Sequence, residues 1–295
     1  MFHKIIEISG HSGAIYVAAF DQKYLYTGSA DQFVTRWNLS DGSQDKFAIK
    51  MNQSVYAIEF ISSNRLIIGL SNGSLHVFDI EKKIEIKHFT QHIKAVFSIC
   101  SNTFKNQFYT GDADGNLSIW NSVTLELLIY LPLDCGKVRN ISISTDGNHF
   151  VVSCQDGTLR IFETVGFNEV VTIDAHKDGA TIAKFHPTNP NQLISGGKDA
   201  YLKIWNWQIM ELVKSIPAHN YVIYDICFLK DNSQFATASR DKTIKIWNLS
   251  TFEVIQRLDL KSGGHKHSVN KLTKISETSF VSVGDDKRII CWDNQ

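Results

Sequence analysis

Apolar and polar residues alternate in short segments along most of the chain, and residues 219–258 show this pattern most clearly. In the segment 243–247, Ile244 and Ile246 fall on one face and Lys245 falls on the other, which is the period of a β-strand. The alternation predicts four strands in this stretch of chain: 222–228, 235–239, 243–247 and 253–258.

Short polar turns separate these segments. In three places the turn is an Asn-Gly or Asp-Gly pair, namely Asn72-Gly73, Asp114-Gly115 and Asp156-Gly157. Such pairs accept the positive φ that a tight β-hairpin requires at both central residues. The chain is therefore predicted to consist of antiparallel strands joined by tight turns.

An aromatic residue recurs every 41 to 45 positions, and Asp or Asn stands six residues before it each time. The seven pairs are Asp31 and Trp37, Asn72 and Phe78, Asp114 and Trp120, Asp156 and Phe162, Asp199 and Trp205, Asp241 and Trp247, and Asp286 and Trp292. A repeat of this length with four strands is typical of one blade of a β-propeller.

This repeat resembles the WD-repeat family, and the resemblance covers the whole chain. It implies an all-β, seven-bladed WD40-type β-propeller with four antiparallel strands per blade. It also implies a buried network from a His through a Ser or Thr and the turn Asp to the Trp. The complete set is expected as His11, Ser29, Asp31 and Trp37, and as His219, Ser239, Asp241 and Trp247.

Three further repeats are expected to hold partial networks, because Asp112, Gly197 and Gly284 stand at the Ser position. Their members are His92, Asp114 and Trp120; His176, Asp199 and Trp205; and His267, Asp286 and Trp292. The second and fourth repeats lack the His, and they are also the two in which Phe replaces Trp. Phe has no N–H donor to satisfy when that network is missing, so both ends of the network are predicted to change together.

The two ends of the chain complement each other. Only three residues follow Trp292, so the last repeat lacks an outer strand of its own, whereas residues 2–8 have the length and alternation of one. We predict that residues 2–8 form the outer strand of the last blade and close the propeller, which removes an exposed sheet edge. A single domain over residues 1–295 is expected.

Charge and composition narrow the function classes. Thirty basic and 30 acidic residues give a net charge of zero. The overall charge therefore provides no electrostatic attraction to nucleic acid or to an anionic membrane. The five cysteines lack a CxxC pair, and Lys4 and Glu7 interrupt the apolar start that a signal peptide needs. A cytoplasmic protein that binds neither nucleic acid nor membrane is expected.

Few residues suggest catalysis or cofactor binding. Residues 69–73 match the GxSxG motif of esterases, but they fall between two predicted strands, where that motif needs a strand and a helix. His265 and His267 flank Lys266 near Asp285 and Asp286, yet only one of them is free if His267 joins the network. No cofactor, metal site or catalytic residue is predicted.

The resemblance implies a non-catalytic scaffold that binds a protein or peptide on the face around the central channel. Two columns of residues there, at the inner-strand entrance and before the turn Asp, contribute the predicted partner-binding set: Tyr16, Tyr56, Phe97, Arg139, Lys198, Tyr224, Arg240 and Asn270. Aromatic residues and Arg are enriched at binding hot spots. An apolar anchor with an acidic or phosphorylated group is the expected ligand.

Two alternatives remain at this level. The aromatics at the channel mouth can instead pack as a plug, with the cations as ordinary solvated surface. A propeller hydrolase or lyase would instead use converging acidic and His residues at the channel mouth.

Overall fold

A computed structural model describes residues 1–294 of the chain. These residues form seven separate sheets of four strands each, and the strands pair antiparallel. The helical structure among them is one short 3-10 turn at Leu260–Ser262. The predicted fold class, an all-β seven-bladed propeller with four antiparallel strands per blade, is confirmed.

The strands group into two compact units, described separately. Unit one comprises residues 1–55 and the described part of 219–295. It holds the sheets β2-β3-β4-β5, β22-β23-β24-β25 and β26-β27-β28-β1. The strands of these three sheets are β1 His3–Ser9, β2 Ile15–Phe20, β3 Tyr24–Ser29, β4 Phe33–Asn38, β5 Gln44–Lys50, β22 Ile223–Leu229, β23 Gln234–Ser239, β24 Ile244–Asn248, β25 Val254–Leu258, β26 Val269–Lys274, β27 Ser279–Gly284 and β28 Arg288–Asp293.

Unit two comprises residues 56–218 and holds the sheets that run from β6 to β21 in chain order, four strands to a sheet. The strands of these four sheets are β6 Val55–Ser62, β7 Arg65–Leu70, β8 Leu75–Asp79, β9 Ile84–Phe89, β10 Val96–Asn102, β11 Gln107–Asp112, β12 Asn116–Asn121, β13 Leu127–Pro132, β14 Val138–Ile143, β15 His149–Cys154, β16 Thr158–Glu163, β17 Glu169–Asp174, β18 Ala180–Phe185, β19 Gln192–Gly197, β20 Tyr201–Asn206 and β21 Glu211–Pro217.

The first strand of the chain completes the last sheet. β1 pairs antiparallel with β28, and the register runs from His3 opposite Asp293 to Ser9 opposite Arg288. The prediction that the N-terminal segment supplies this outer strand is confirmed, with the strand at residues 3–9 where 2–8 was expected. Phe2 lies just before it and is buried against Phe280, with ring centroids 5.2 Å apart.

Within each unit, apolar side chains of neighbouring sheets form buried clusters. In unit two, for example, Phe150 and Phe162 stack at 5.0 Å within one such cluster. In unit one, Phe280 and Trp292 belong to a cluster with residues of the preceding sheet. The single domain over residues 1–295 stays a prediction, and it extends one position beyond the described residues.

No helix among residues 1–294 has the length and apolarity to cross a membrane.

Candidate functional site

A buried network connects His, Asp, a hydroxyl and Trp in five of the seven sheets. In the sheet β22–β25, His219 Nδ1 lies 2.9 Å from Asp241 Oδ2 and its Nε2 lies 2.7 Å from Thr237 Oγ1. Trp247 Nε1 donates to the same hydroxyl oxygen at 2.9 Å. The Thr therefore joins the imidazole to the indole, and each polar atom is satisfied in the apolar interior.

The predicted Ser positions of this network were wrong by two residues. The hydroxyl that connects His and Trp stands ten residues before the Trp in all five sheets: Thr27, Thr110, Ser195, Thr237 and Ser282. Ser29 and Ser239 instead accept a hydrogen bond from the backbone N–H of Asp31 and Asp241. The three networks expected to be partial are therefore complete.

Two further members were also displaced by two residues. In the third repeat Asp112 takes the role expected of Asp114, with its Oδ2 2.7 Å from His92 Nδ1. In the seventh repeat the network His is His265, whose Nδ1 lies 2.8 Å from Asp286 Oδ1. The assignment of His267 to this network was wrong, and His267 is exposed.

The two sheets with Phe in place of Trp also lack the hydroxyl. Ten residues before Phe78 and Phe162 stand Ile68 and Val152, and both of these are fully buried. Apolar residues therefore replace the His–hydroxyl–Trp connection as a group. This column, ten residues ahead of each aromatic, was available in the sequence as a signal and was not used.

Burial and charge set the protonation of these groups. Burial lowers the pKa of His176 and His219 below the ordinary value, and the neighbouring Asp only partly offsets this. Burial acts to raise the pKa of Asp241 and Asp286, but hydrogen bonds and charge from His219 and His265 outweigh it, so both carboxyl pKa values are lowered. The Asp side chains therefore stay ionised at neutral pH.

The GxSxG match lies in a hairpin. Gly69 and Leu70 end β7, and Ser71, Asn72 and Gly73 form the turn that leads into β8. A nucleophile elbow requires a helix after the turn, so the esterase interpretation lacks its structural context. Across residues 1–294, no group of three or more His, Cys, Asp or Glu side chains is arranged to hold a metal ion.

Five of the six predicted partner-binding residues of the inner-strand column stand at β-bulges, as does Thr181 at the same position of the fifth repeat. The register of the inner strand shifts at Tyr16, Phe97, Arg139, Thr181, Tyr224 and Asn270. A bulge takes one residue out of the ladder and re-aims its side chain. Thr181 is buried, whereas Tyr56 and the other five residues are partly exposed. The side chains at this position therefore differ in both chemical type and exposure.

Three of these residues meet within unit two. The rings of Tyr56 and Phe97 stack with centroids 5.4 Å apart and planes 9° apart. The Arg139 guanidinium lies 5.0 Å from the centre of the Phe97 ring, and Lys137 Nζ lies 5.7 Å from it. We call these four residues the Phe97 cluster. Lys137 was missed because it lies outside both predicted columns, although it stands two residues from Arg139.

The other predicted residues have different surroundings. In unit one, Asn270 Nδ2 donates to Ile15 O and to Asp285 Oδ1, both at 2.8 Å, and thereby joins β26 to β2. With His265 as the network His, Asn270 stands five residues after it, as Tyr16 stands after His11 and Tyr224 after His219. Lys198 in unit two and Arg240 in unit one are exposed. Partner binding by these eight residues stays a prediction.

Comparison with known proteins supports the repeat assignment. The family model described as "WD domain, G-beta repeat" matches five stretches that together exceed half of the chain: residues 2–38, 83–121, 131–163, 167–206 and 210–248. The matched stretches contain the Asp and aromatic pairs of the first, third, fourth, fifth and sixth repeats. The second repeat falls outside them except for its outer strand, and residues 249–295, with the seventh pair, lie outside them as well.

The chain is similar to several curated proteins at low identity. It is 24% identical to protein tipD of Dictyostelium discoideum over 72% of this chain and 35% of tipD. It is 22% identical to human eukaryotic translation initiation factor 3 subunit I over 65% of this chain and 62% of that protein. It is 21% identical to the Arabidopsis thaliana protein named "Non-functional target of rapamycin complex subunit LST8-2", over 70% of this chain and 83% of that protein. The chain thus spans about a third of tipD's length.

Proposed function

Because this chain belongs to the WD-repeat family, we propose that it is a non-catalytic, cytoplasmic scaffold that binds a protein or peptide and organises a multiprotein assembly. Two of the relatives carry names that describe them as subunits of a translation initiation factor and of the target of rapamycin complex. Both names describe a subunit of a larger assembly, and we propose the same kind of role for this chain. Fold alone does not define a function, so the proposal rests on a surface site.

The Phe97 cluster is the observation that carries this proposal. Tyr56 and Phe97 offer a rigid, partly exposed aromatic surface, and two cations lie over the Phe97 ring. Large aromatic side chains and Arg supply most of the binding energy at protein interfaces. A guanidinium held over a ring keeps its charge and pairs bidentately with carboxylate or phosphate.

The proposed ligand is therefore a segment with an apolar or aromatic anchor followed by an acidic or phosphorylated residue. The anchor packs on the ring surface of Tyr56 and Phe97, and the anion pairs with Arg139 and Lys137. Lys198 of unit two, and Tyr16, Tyr224, Arg240 and Asn270 of unit one, are further proposed partner-binding residues. Since the net charge of the chain is zero, the attraction is local and does not extend to nucleic acid or membrane.

A variant that combines Arg139→Glu, Arg240→Glu and Tyr224→Ala tests the surface. We expect it to lose the proteins that the wild type recovers from native cells, while its melting temperature changes by less than about 4 to 8 °C. The matched control combines Lys46→Glu, Lys261→Glu and Tyr130→Ala, which lie away from the inner strands and leave recovery unchanged. A folded triple variant that recovers every wild-type partner would show that this surface is not the site.

The ligand chemistry needs a separate measurement. Peptides with an aromatic residue followed by Ser, phosphoserine or Glu are titrated against the protein, and fluorescence anisotropy reports binding. Phosphoserine and Glu peptides should bind more tightly than the Ser peptide, and the difference should shrink with added salt because the pairing is electrostatic. Equal affinity for all three peptides would contradict the proposed acidic or phosphorylated group of the ligand. It would not contradict the proposed binding of an aromatic anchor.

A further inference from the structure

Two histidines face each other on the outer half of the sheet β6–β9 in unit two. His76 of β8 and His88 of β9 are directly opposed in the strand register. Their rings lie parallel, with centroids 4.3 Å apart and planes 9° apart. His76 is buried and His88 is exposed, so the pair connects the interior of the sheet with solvent.

The buried imidazole is held at one nitrogen only. His76 Nδ1 lies 2.8 Å from Glu85 Oε1, and the carboxylate oxygen can only accept, so Nδ1 carries the proton and donates. His76 Nε2 is then a lone-pair nitrogen, and this buried atom has no hydrogen-bond partner. A buried polar atom without a partner destabilises the fold and calls for an explanation.

We propose that His76 Nε2 and His88 bind a borderline divalent metal ion of the zinc class, with Glu85 orienting His76. Metal-binding histidines commonly donate their second ring N–H to a carboxylate, which fixes the tautomer that leaves the other nitrogen free to bind. Neutral imidazole suits zinc, copper and nickel ions. The Glu85 and His76 pair has this arrangement, and the bare nitrogen is the one that a metal ion would occupy.

The geometry requires one local movement. Parallel stacked rings do not share a plane, whereas a metal ion lies in the plane of each imidazole that binds it, about 2.0 to 2.1 Å from the nitrogen. The exposed His88 ring reaches this position by rotating about its side-chain torsions, while Glu85 keeps His76 fixed. Directly opposed residues on antiparallel strands have Cβ atoms about 4.5 to 5.5 Å apart, which lets two imidazoles converge on one ion without backbone movement.

The site is local to one sheet. The position of His76, four residues after the turn Asp or Asn, holds other residue types in the remaining repeats: Thr35, Ser118, Arg160, Lys203, Lys245 and Ile290. An arrangement that occurs once in a repeated fold departs from what repeated packing requires. With two imidazole ligands and no group of three or more candidate side chains in the described residues, water completes the coordination.

Zinc titration of the full chain tests this inference by calorimetry, after removal of metal with a chelator. We expect one equivalent of Zn²⁺ to bind, and His88→Ala to weaken binding about tenfold or more. Glu85→Gln should weaken it by about 10- to 100-fold, the usual effect of losing a carboxylate that orients a metal-binding histidine. His88 is exposed, so its variant is expected to fold, and an unchanged melting temperature in chelator verifies this.

Two control variants separate this pair from other histidines. His3→Ala and His267→Ala remove exposed imidazoles elsewhere on the chain and should leave the zinc affinity unchanged. An affinity that is the same in wild type and His88→Ala, or that falls only with His3→Ala, overturns the inference. Neither measurement involves a protein partner, so the result does not depend on the proposed scaffold function.

Discussion

Gln256 holds the backbone of Phe2 with both ends of its side-chain amide. Its Oε1 accepts from Phe2 N at 2.7 Å, and its Nε2 donates to Phe2 O at 2.6 Å. Gln256 lies on β25, whereas the strand that Phe2 precedes pairs with β28. The start of the chain is thus tied to two sheets of unit one at once, by the β1 ladder and by this amide.

We predict that deletion of residues 1–8 destabilises the protein far more than removal of an ordinary chain end. The deletion would leave the edge of β28 unpaired and expose the apolar surface that Phe2 and Ile8 cover. Thermal unfolding followed by circular dichroism measures this effect. An unchanged melting temperature would show that the N-terminal strand does not contribute to the stability of the last sheet.

A single substitution tests the same contact with a matched control on one strand. Phe2→Ala is expected to cost about 3 to 5 kcal/mol, the usual range for a buried Phe, because its ring packs on Phe280. Ile5→Ala changes a side chain on β1 that is 54% exposed and should stay within about 0.5 kcal/mol. Chemical denaturation of both variants gives the comparison, and equal effects would contradict it.

The register of the buried network predicts which residues are energetically coupled. Thr237→Val should cost about 1 to 3 kcal/mol, because it leaves His219 Nε2 and Trp247 Nε1 without their shared oxygen. Combined with Trp247→Phe, it should cost less than the sum of the two changes, as should His219→Ala with Trp247→Phe. Double-mutant cycles from denaturant unfolding measure these couplings.

Ser239 provides the control for that cycle. Its hydroxyl contacts the Asp241 N–H and Tyr221 O and does not reach the indole. Ser239→Ala and Trp247→Phe should therefore be additive within about 0.3 to 0.5 kcal/mol. Strong coupling of Ser239 with Trp247, together with additive behaviour of Thr237, would reverse the assignment.

These network positions show what the sequence alone determined. The seven repeats, the strand content and the paired loss of His and Trp followed from spacing and residue type. Each error within the network was a displacement of two residues, as with Ser29 for Thr27 and His267 for His265. Thr27 and Ser29 lie on one strand, where side chains repeat their direction every second residue, so a pattern read along the chain fits both positions equally well.

The Phe97 cluster shows the corresponding limit for a surface site. Its column was predicted because it keeps a fixed distance from the network His. Lys137 precedes the bulge at Arg139 and belongs to no column, so only the folded backbone reveals that both cations approach the Phe97 ring. Contacts that depend on a register shift cannot be derived from strict alternation.

A sheet that lacks the network should tolerate Trp only when the hydroxyl is restored. Phe162→Trp places an indole N–H beside Val152, where no acceptor side chain stands at the network position. We expect a loss of about 1 to 3 kcal/mol from the unsatisfied donor. Adding Val152→Thr should recover part of it, although Val152→Thr alone is destabilising. Additive costs in denaturant unfolding would mean that the hydroxyl does not bind the indole.

Acid should destabilise the protein in two stages. The pKa values of His176 and His219 are lower in the folded state, so the unfolded chain binds protons first as the pH falls below about 6.5. Below about pH 4 the unfolded carboxyls protonate before Asp241 and Asp286, whose folded pKa values are lowered, and further stability is lost. Calorimetry at constant ionic strength measures both stages.

The first stage can be assigned by substitution. His219→Gln should reduce the fall in melting temperature between pH 7.5 and 5.5 relative to wild type, since one buried imidazole no longer titrates. The control Ile5→Ala, which changes an exposed side chain without a titratable group, should leave that fall unchanged. A melting temperature that rises on acidification to pH 5.5 would contradict the predicted sign.

A bulge at the entrance of six inner strands separates changes in recognition from changes in folding. Because the bulged residue is outside the ladder, a mutation there changes what the surface offers without disturbing the strand pairing behind it. Tyr, Phe, Arg, Thr and Asn already occupy this place within one chain. Where the bulged side chain is partly exposed, as at Tyr16 and Tyr224, a single substitution can therefore change the ligand while the strand pairing is kept.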